Sequence, residues 1–327
     1  MRKEVWFAII GGILLGLIIG FGVYRINFAF KKDSVPNSSP TPAPTAQGLT
    51  IAKPTSDDVI TSLPLKISGI TSKGAWVVIS TGGSDYIFKA NEKGVFEEDI
   101  DLEGGVNQVV VSGIDKNGII SSQELRLIYS TQLESSTPNT ETAPSSSESG
   151  VRETVLKKVE DVLNNPKAYL GVVTDILDGT VQLKTDSGSI EQVSTKDDAV
   201  KVIKQDTVSK EVKLTDIAIG DYIVAMGFRN GNHVLNAKRI LIITPPTKSD
   251  IKVVFGKIKS INKKEIKIED NTITLSSTTK YTTFAKDGSI TSYKSTNLEE
   301  NDLIISVSKV KEETFTARRI HLVESNP

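Results

Sequence analysis

The chain has two histidines, His233 and His321, in 327 residues, and no cysteine to join them as a ligand. A histidine metal centre needs three or four clustered ligands. His233 follows "RNGN" on a predicted hairpin turn, whereas His321 lies on the last strand of the chain. The internal repeat described below aligns His321 with Leu241, so the histidines are not one position used twice. They read as a solvated turn residue and a half-exposed strand residue, and no metal ligand is assigned.

Carboxylates supply acid and base chemistry when two of them face each other across a cleft. The acidic runs are Glu97 to Glu103, Asp197-Asp198 and Leu298 to Leu303. Asp99 and Asp101 share one strand face by alternation, but nothing in the sequence places a cleft beside them. Glu97, Glu98 and Asp99 lack the regular oxygen-donor spacing of a calcium loop. All three runs read as solvated strand edges and turns. No serine sits in G-x-S-x-G. "GGILLG" lacks the lysine and hydroxyl of a phosphate loop, and no nucleotide, haem or flavin motif is present. No catalytic residue and no cofactor is assigned, and the chain is read as non-enzymatic.

Basic pairs recur in "NAKRILII" (Asn236 to Ile243) and "TARRIHLV" (Thr316 to Val323), which raises nucleic-acid binding. A single-strand groove needs a basic track interleaved with exposed aromatics. Residues 151–244 hold 13 Lys/Arg and 13 Asp/Glu, and residues 251–327 hold 13 and 10. Tyr281, Phe284 and Tyr293 are the candidate stacking residues, and strands also use aromatics as cover. Nucleic acid is therefore disfavoured as a partner. Trp76 alternates with Val78 and is expected in a β core rather than on a glycan platform. The pairs themselves fit a bulge between Ala237 and Ile240. It would turn Ala237 and Ile240 inward and Arg239 outward, with Ala317, Ile320 and Leu322 inward and Arg319 and His321 outward in the second copy.

The elements that must position these residues begin with a short tail, 1–5, and "WFAIIGGILLGLIIGFGVY", whose nineteen uncharged residues would span about 29 Å as a helix. That length predicts a transmembrane helix over 6–25, flanked by interfacial Trp6 and Tyr24. Ala8, Gly12, Gly16 and Gly20 fall on one face of it and would permit self-association. A Pro/Ser/Thr-rich stalk follows over 26–48. The stalk argues for extracytoplasmic display of the C-terminal domains, while Arg25, Lys31 and Lys32 against Arg2 and Lys3 argue the reverse.

Residues 49–130 alternate in short apolar runs, among them "LKISGI", "AWVVIS", "YIF", "NQVVVSGI" and "LRLIY". Turn sequences such as "TGG", "NEKG", "EGG" and "DKNG" separate them, which predicts a β-sandwich. Leu49, Ile51 and Pro54, "ISG" at Ile67 to Gly69 and "KGVFEEDIDLEGGVNQVVVSGIDKNG" from Lys93 to Gly118 resemble the bacterial immunoglobulin-like surface modules of glucodextranase type. The resemblance implies a spacer, adhesion unit or support. A polar linker, 131–150, precedes 151–165, where Val155, Leu156, Val159, Val162 and Leu163 predict one short amphipathic helix.

Two copies of one module follow, at 166–244 and 251–324, joined by 245–250. Their landmarks are offset by 85 residues (Gly171, Gly256), 81 (Gly220, Asn301) and 80 (Ala237, Ala317). The G-x-V opening, "DG" turn, "LTDIAIGDYI" and closing A-x-x-I resemble a small β-rich bacterial domain of unknown function with OB-like barrel character. Asn301 replaces the glycine beside the aspartate and tolerates the left-handed backbone expected there.

The predicted fold class is thus mainly β: an N-terminal transmembrane helix, an immunoglobulin-like β-sandwich, one short amphipathic helix and two related small β-barrel-like domains. The predicted function is a single-pass membrane-anchored surface protein in envelope organisation, adhesion or scaffolding. Its partners would be the lipid bilayer and a protein or cell-envelope polymer. The alternative is a membrane-tethered ligand-binding or regulatory module for a glycan, peptide or nucleic acid.

Overall fold

The computed structural model describes residues 48–133, 166–197, 200–205, 209–230 and 232–325. Among them the chain is β throughout, with two single-turn 3-10 helices at Leu214–Asp216 and Ser295–Asn297. This corrects the expected fold class, which included two further helices. No described helix is long and apolar enough to cross a membrane, and none is an amphipathic helix. The physical reason is periodicity: the described sequence alternates in twos between turn residues and never sustains a 3.6-residue period. Residues 6–25, with Ala8, Gly12, Gly16 and Gly20, and residues 151–165 lie outside the described residues.

The first eight strands are β1 (Thr50–Lys53), β2 (Val59–Ile60), β3 (Leu65–Ile70), β4 (Trp76–Ser80), β5 (Asp85–Lys89), β6 (Val95–Ile100), β7 (Gly105–Ile114) and β8 (Ile120–Tyr129). They form a three-stranded sheet, β1-β3-β6, and a five-stranded sheet, β2-β8-β7-β4-β5. Ile67, Phe96 and Ile100 of the smaller sheet meet Val77, Ile79, Val109, Val111, Leu125 and Leu127 of the larger one in a shared core. In the larger sheet "VVIS" and "VVVSGI" are buried at every residue, the pattern of strands covered on both faces.

The first copy contributes β9 (Lys167–Leu177), β10 (Thr180–Lys184), β11 (Ile190–Ser194), β12 (Lys201–Gln205), β13 (Ser209–Val212), β14 (Tyr222–Arg229) and β15 (Leu235–Ile243). The second contributes β16 (Ile251–Ile261), β17 (Glu265–Ile268), β18 (Asn271–Thr274), β19 (Lys280–Phe284), β20 (Ile290–Ser292), β21 (Leu303–Lys311) and β22 (Thr314–Glu324). Each copy closes a five-stranded ring. In the first, β9, β10 and β11 run round to β15 and back through β14 to β9, closed by a parallel β11–β15 pairing. In the second, β18 pairs with β22 in the same way. A hairpin, β12–β13 or β19–β20, then adds in parallel to the far half of the closing strand.

The basic pairs sit where the closing strand changes partner. Pairing jumps from Met226–Arg239 to Gly227–Ala237, leaving Lys238 as the bulged residue, and from Val307–Arg319 to Ser308–Ala317, leaving Arg318. Leu235 and Asn236 pair with β11 before the bulge, and Arg239 to Ile242 pair with β12 after it. A bulge adds local twist, which redirects one strand from the ring to the hairpin. Ala237 and Ala317 are buried beneath it.

Two further motif residues have local causes. An added Cβ at Gly171 would lie 2.3 Å from the Lys184 carbonyl oxygen, so the opening glycine permits close strand approach. Gly220 and Asn301 both take positive φ, +96° and +73°. The following aspartates accept hydrogen bonds from the N–H groups of Ala218 and Glu299 at 2.9 and 2.8 Å.

The outer face of the five-stranded sheet is covered by both copies, which use equivalent faces. Val59 and Ile128 pack against Leu170, Val224, Met226 and Leu241 of the first. Val78, Ile87, Val110 and Ile114 pack against Ile251, Ile305 and Val307 of the second. Residues Gln47–Pro327 consequently make one compact unit. Truncating Ile305, which is fully buried at this seam, is expected to cost about 3 kcal/mol as Ile305→Ala. Ile219→Ala, at a residue 67% exposed, should change stability by less than about 0.5 kcal/mol; urea unfolding of the two variants checks this.

Candidate functional site

The seam between the sandwich and the second copy concentrates buried polar groups. It is built from the sandwich side by the "TGGS" turn, in which Thr81 N–H donates to the Ser84 carbonyl at 2.8 Å and Ser84 N–H to Thr81 Oγ1 at 3.0 Å. This turn starts β5 at Asp85, whose residue is 8% exposed and stands directly opposite Ser80. From the second copy, the bulge at Arg318 brings two consecutive arginines to it. Arg318 Nη1 donates to the Thr81 carbonyl at 2.8 Å, Arg318 Nη2 lies 3.4 Å from Asp85 Oδ1, and Arg319 Nε lies 4.0 Å from Asp85 Oδ2.

Burial pushes the Asp85 carboxyl above the ordinary carboxylate range, against the opposing pull of Arg318, the Ser80 hydroxyl, Arg319 and Lys280. Burial likewise lowers the Arg319 guanidinium, which Asp85 partly offsets. Arg319 Nε and His321 Nε2 are buried side-chain atoms with no hydrogen-bond partner among the described residues.

His321 lies in the same seam and corrects the expectation of a half-exposed residue. It is 0% exposed, with Nδ1 3.0 Å from Thr282 Oγ1. Its ring meets Phe284 edge-on at 4.6 Å between centroids, and Trp76 at 6.1 Å. It faces the sandwich from the position that Leu241 occupies in the first copy, so the outward direction was right for the barrel and wrong for the assembled molecule. Trp76 is corrected in the opposite sense: expected in the sandwich core, it lies on the outer face with Val78, stacks on Phe284 at 5.2 Å and carries Lys89 4.4 Å above its ring. Burial lowers the His321 imidazole to about 4.

Beside these groups opens a cavity of about 560 Å³ lined by Gly82, Gly83, Asp85, Asp250, Lys280, Lys309, Lys311 and Arg318 together with Ser276, Thr278, Thr316 and Ala317. A second, of about 370 Å³, shares Gly82, Asp250, Lys309 and Arg318 with it and extends along Glu103, Gln108 and Lys248. The two form one open groove. Lys280, Lys309 and Lys311 are exposed. The ionic contacts in this groove centre on Asp85 with Arg318 and Arg319.

The opposite seam is charge-matched. Its cavity of about 500 Å³ carries Arg126, Lys167 and Arg229 against Asp57, Asp186 and Glu191. Arg126 grips Asp57 through Nε at 2.7 Å and Nη2 at 3.2 Å and reaches Asp186 at 2.5 Å, while the Tyr222 hydroxyl donates to Asp186 at 3.0 Å. Lys167 pairs with Asp58. These contacts fasten the first copy to the sandwich.

The other sequence-derived candidates do not converge. His233 is an exposed turn residue with φ of +63°. Glu97 and Asp99 both lie against Lys66, at 2.6 and 3.9 Å, and among the described residues no three His, Asp or Glu side chains could hold a metal together. Tyr281 and Tyr293 pack against the core of the second copy. Asp85 and its arginines escaped sequence reasoning because 233 positions separate Asp85 from Arg318; the usable signal was the bulge, which marks the arginine pair as exposed on the barrel's docking side.

No protein-family model and no curated protein matches the chain. Among solved structures, one similar chain is the Bacteroides ovatus mixed-linkage glucan utilization locus SGBP-B in complex with a heptasaccharide, at 12% identity, TM-score 0.21, covering 85% of this chain and 70% of that one. A second is a Ca2+-stabilized adhesin with which an Antarctic bacterium binds ice, at 14% identity, TM-score 0.20, covering 86% and 75%. A third is a tetra-tandem repeat in the extending region of a large adhesion protein, at 12% identity, TM-score 0.21, covering 86% and 73%. TM-scores at this level do not establish a shared fold.

The imidazole gives a stability test. Its folded-state pKa lies below the ordinary 6.5, so its contribution is complete above that value and is lost as pH falls from about 6.5 to about 4. His321→Leu, which installs the residue of the first copy, is expected to remove up to about 3 kcal/mol of that acid-side loss. Urea midpoints of both proteins between pH 7 and pH 4 measure it.

Proposed function

We propose that this protein is a non-enzymatic binding and scaffolding unit of the cell surface, which holds an extended envelope polymer or a partner protein against a rigid three-module body. The observation that carries the reading is the double cover of the five-stranded sheet. Val78, Val110 and Ile128 are buried by the two barrels, while Val77, Ile79 and Val109 are buried by the smaller sheet. Three modules that share one sheet cannot swing independently, so a groove along their seam keeps its shape when a ligand enters, which lowers the ordering cost of binding. The polar Pro/Ser/Thr stretch over 26–48 supports display away from a surface.

The buried charges at the seam also favour binding over turnover. Asp85 is held by Arg318 and Arg319, an arrangement that fixes the wall of the groove, and the exposed groups along it are ammonium groups and hydroxyl donors beside the Asp250 and Glu103 carboxylates.

The test is co-sedimentation of the purified full chain with the insoluble envelope fraction of the cells that produce it. Retention at physiological salt, saturating with added protein, is the expected result. Recovery of all the protein in the supernatant would remove the envelope-binding reading.

A further inference from the structure

The groove between the sandwich and the second copy carries an excess of cationic side chains. Its larger cavity presents Lys280, Lys309, Lys311 and Arg318 against Asp85 and Asp250. A cavity at the seam with the first copy, lined by other positions of the module, presents three cations against three carboxylates. Two changes between the copies build the cationic excess of the second. In the first copy the bulged cation Lys238 pairs with Asp197 of the loop "TKDDAV". In the second that loop reads "LSSTT", without a carboxylate, and the bulged Arg318 is turned to Thr81 and Asp85 of the sandwich. Lys309 and Lys311 occupy positions that are Phe228 and Asn230 in the first copy, by the 81-residue offset set at Gly220 and Asn301.

The remaining lining fits an oxyanion. Ser276 and Thr278 bring hydroxyl donors to the same wall as the ammonium groups, and Gly82 and Gly83 leave the opposite wall without side chains. Lysine acts as a point charge toward phosphate and sulfate, and the pinned Arg318 guanidinium adds oriented N–H groups. No aromatic side chain lines either cavity among the described residues, so the groove has no platform on which a nucleobase could stack. Its length, two joined cavities sharing Lys309 and Arg318, suits a chain bearing several charges better than a single ion.

We propose that this groove binds a polyanionic chain whose charges are tetrahedral oxyanions, phosphate or sulfate esters without nucleobases, with Lys280, Lys309, Lys311 and Arg318 as its cationic contacts. The inference rests on the binding reading above and names the ligand class for it.

The test titrates the full chain with long-chain polyphosphate, heparin and oligo-dT, by calorimetry over a series of salt concentrations. Polyphosphate or heparin should bind more tightly than oligo-dT, and the tighter of the two tells whether the preferred oxyanion is phosphate or sulfate. Replacing the three exposed lysines together (Lys280→Gln, Lys309→Gln, Lys311→Gln) should weaken that binding at least about tenfold and flatten its salt dependence by the release of roughly two to three fewer counterions. An equal charge change at three exposed lysines of the first copy that line neither cavity (Lys184→Gln, Lys196→Gln, Lys210→Gln) should weaken it less than about twofold. Equal losses in both triple variants, no binding of either polymer, or tighter binding of oligo-dT would each overturn the proposal. Envelope co-sedimentation that survives the groove triple variant would sink this site and leave the scaffolding function standing. Polyphosphate binding without envelope co-sedimentation would do the opposite.

Discussion

Burial of one sheet on both faces is the constraint on which the rest of this molecule depends. The five-stranded sheet of the sandwich cannot exist with its outer face in water, because Val78, Ile87, Val110, Ile114 and Ile128 would form a contiguous apolar surface. A patch of that kind marks an interaction surface. Here the same chain supplies the cover twice, from two copies of one barrel presenting equivalent faces. At about 1.5 to 3 kcal/mol for each fully buried large aliphatic side chain, either seam involves enough apolar surface to hold a barrel in place. The sequence signature of this arrangement is the unbroken apolar run in β4 and β7, where a sandwich with one wet face would alternate.

The duplicated barrel solves a second problem with one residue. A single closing strand must complete the ring and then receive a hairpin in parallel, and the bulge at Lys238 or Arg318 lets it do both. A bulged residue is freed from the ladder, so its side chain is available for other work. The first copy spends Lys238 on its own loop through Asp197. The second directs Arg318 across the seam to Asp85 and Thr81. One backbone device therefore yields a self-contained copy and a copy whose charge is committed to its neighbour.

Polarity separates the two seams as sharply as position unites them. At the first, Arg126 is enclosed by Asp57 and Asp186, and Leu241 packs on an apolar wall. At the second, His321 takes the place of that leucine, and its Nε2 and Arg319 Nε are buried without a hydrogen-bond partner among the described residues. A buried polar atom without a partner costs roughly 1 to 3 kcal/mol, so the second seam gives up stability that the first retains. That cost falls beside the open groove with its exposed lysines, and sites that bind ligands are where folds commonly accept such losses.

The sequence by itself determined the β architecture of the described residues, the sandwich, the duplication and its landmarks, and the bulge inside "NAKRI" and "TARRI". Each rests on local chemistry: period-two alternation, turn residues such as Asn301 with their permitted φ, and a small residue beneath a kink. It also carried the apolar and glycine-rich segment 6–25, outside the described residues. The tertiary structure alone decided which outward faces become inward ones. His321 points away from its own module, as its alternation indicates, and is buried because a second module closes over it; Trp76, expected in the core with Val78, shares with it the outer face that the same module covers. Asp85 and Arg318 meet for the same reason. Periodicity reports which side of a strand faces its own core; it holds no term for a partner hundreds of residues away, and the groove exists only between such partners.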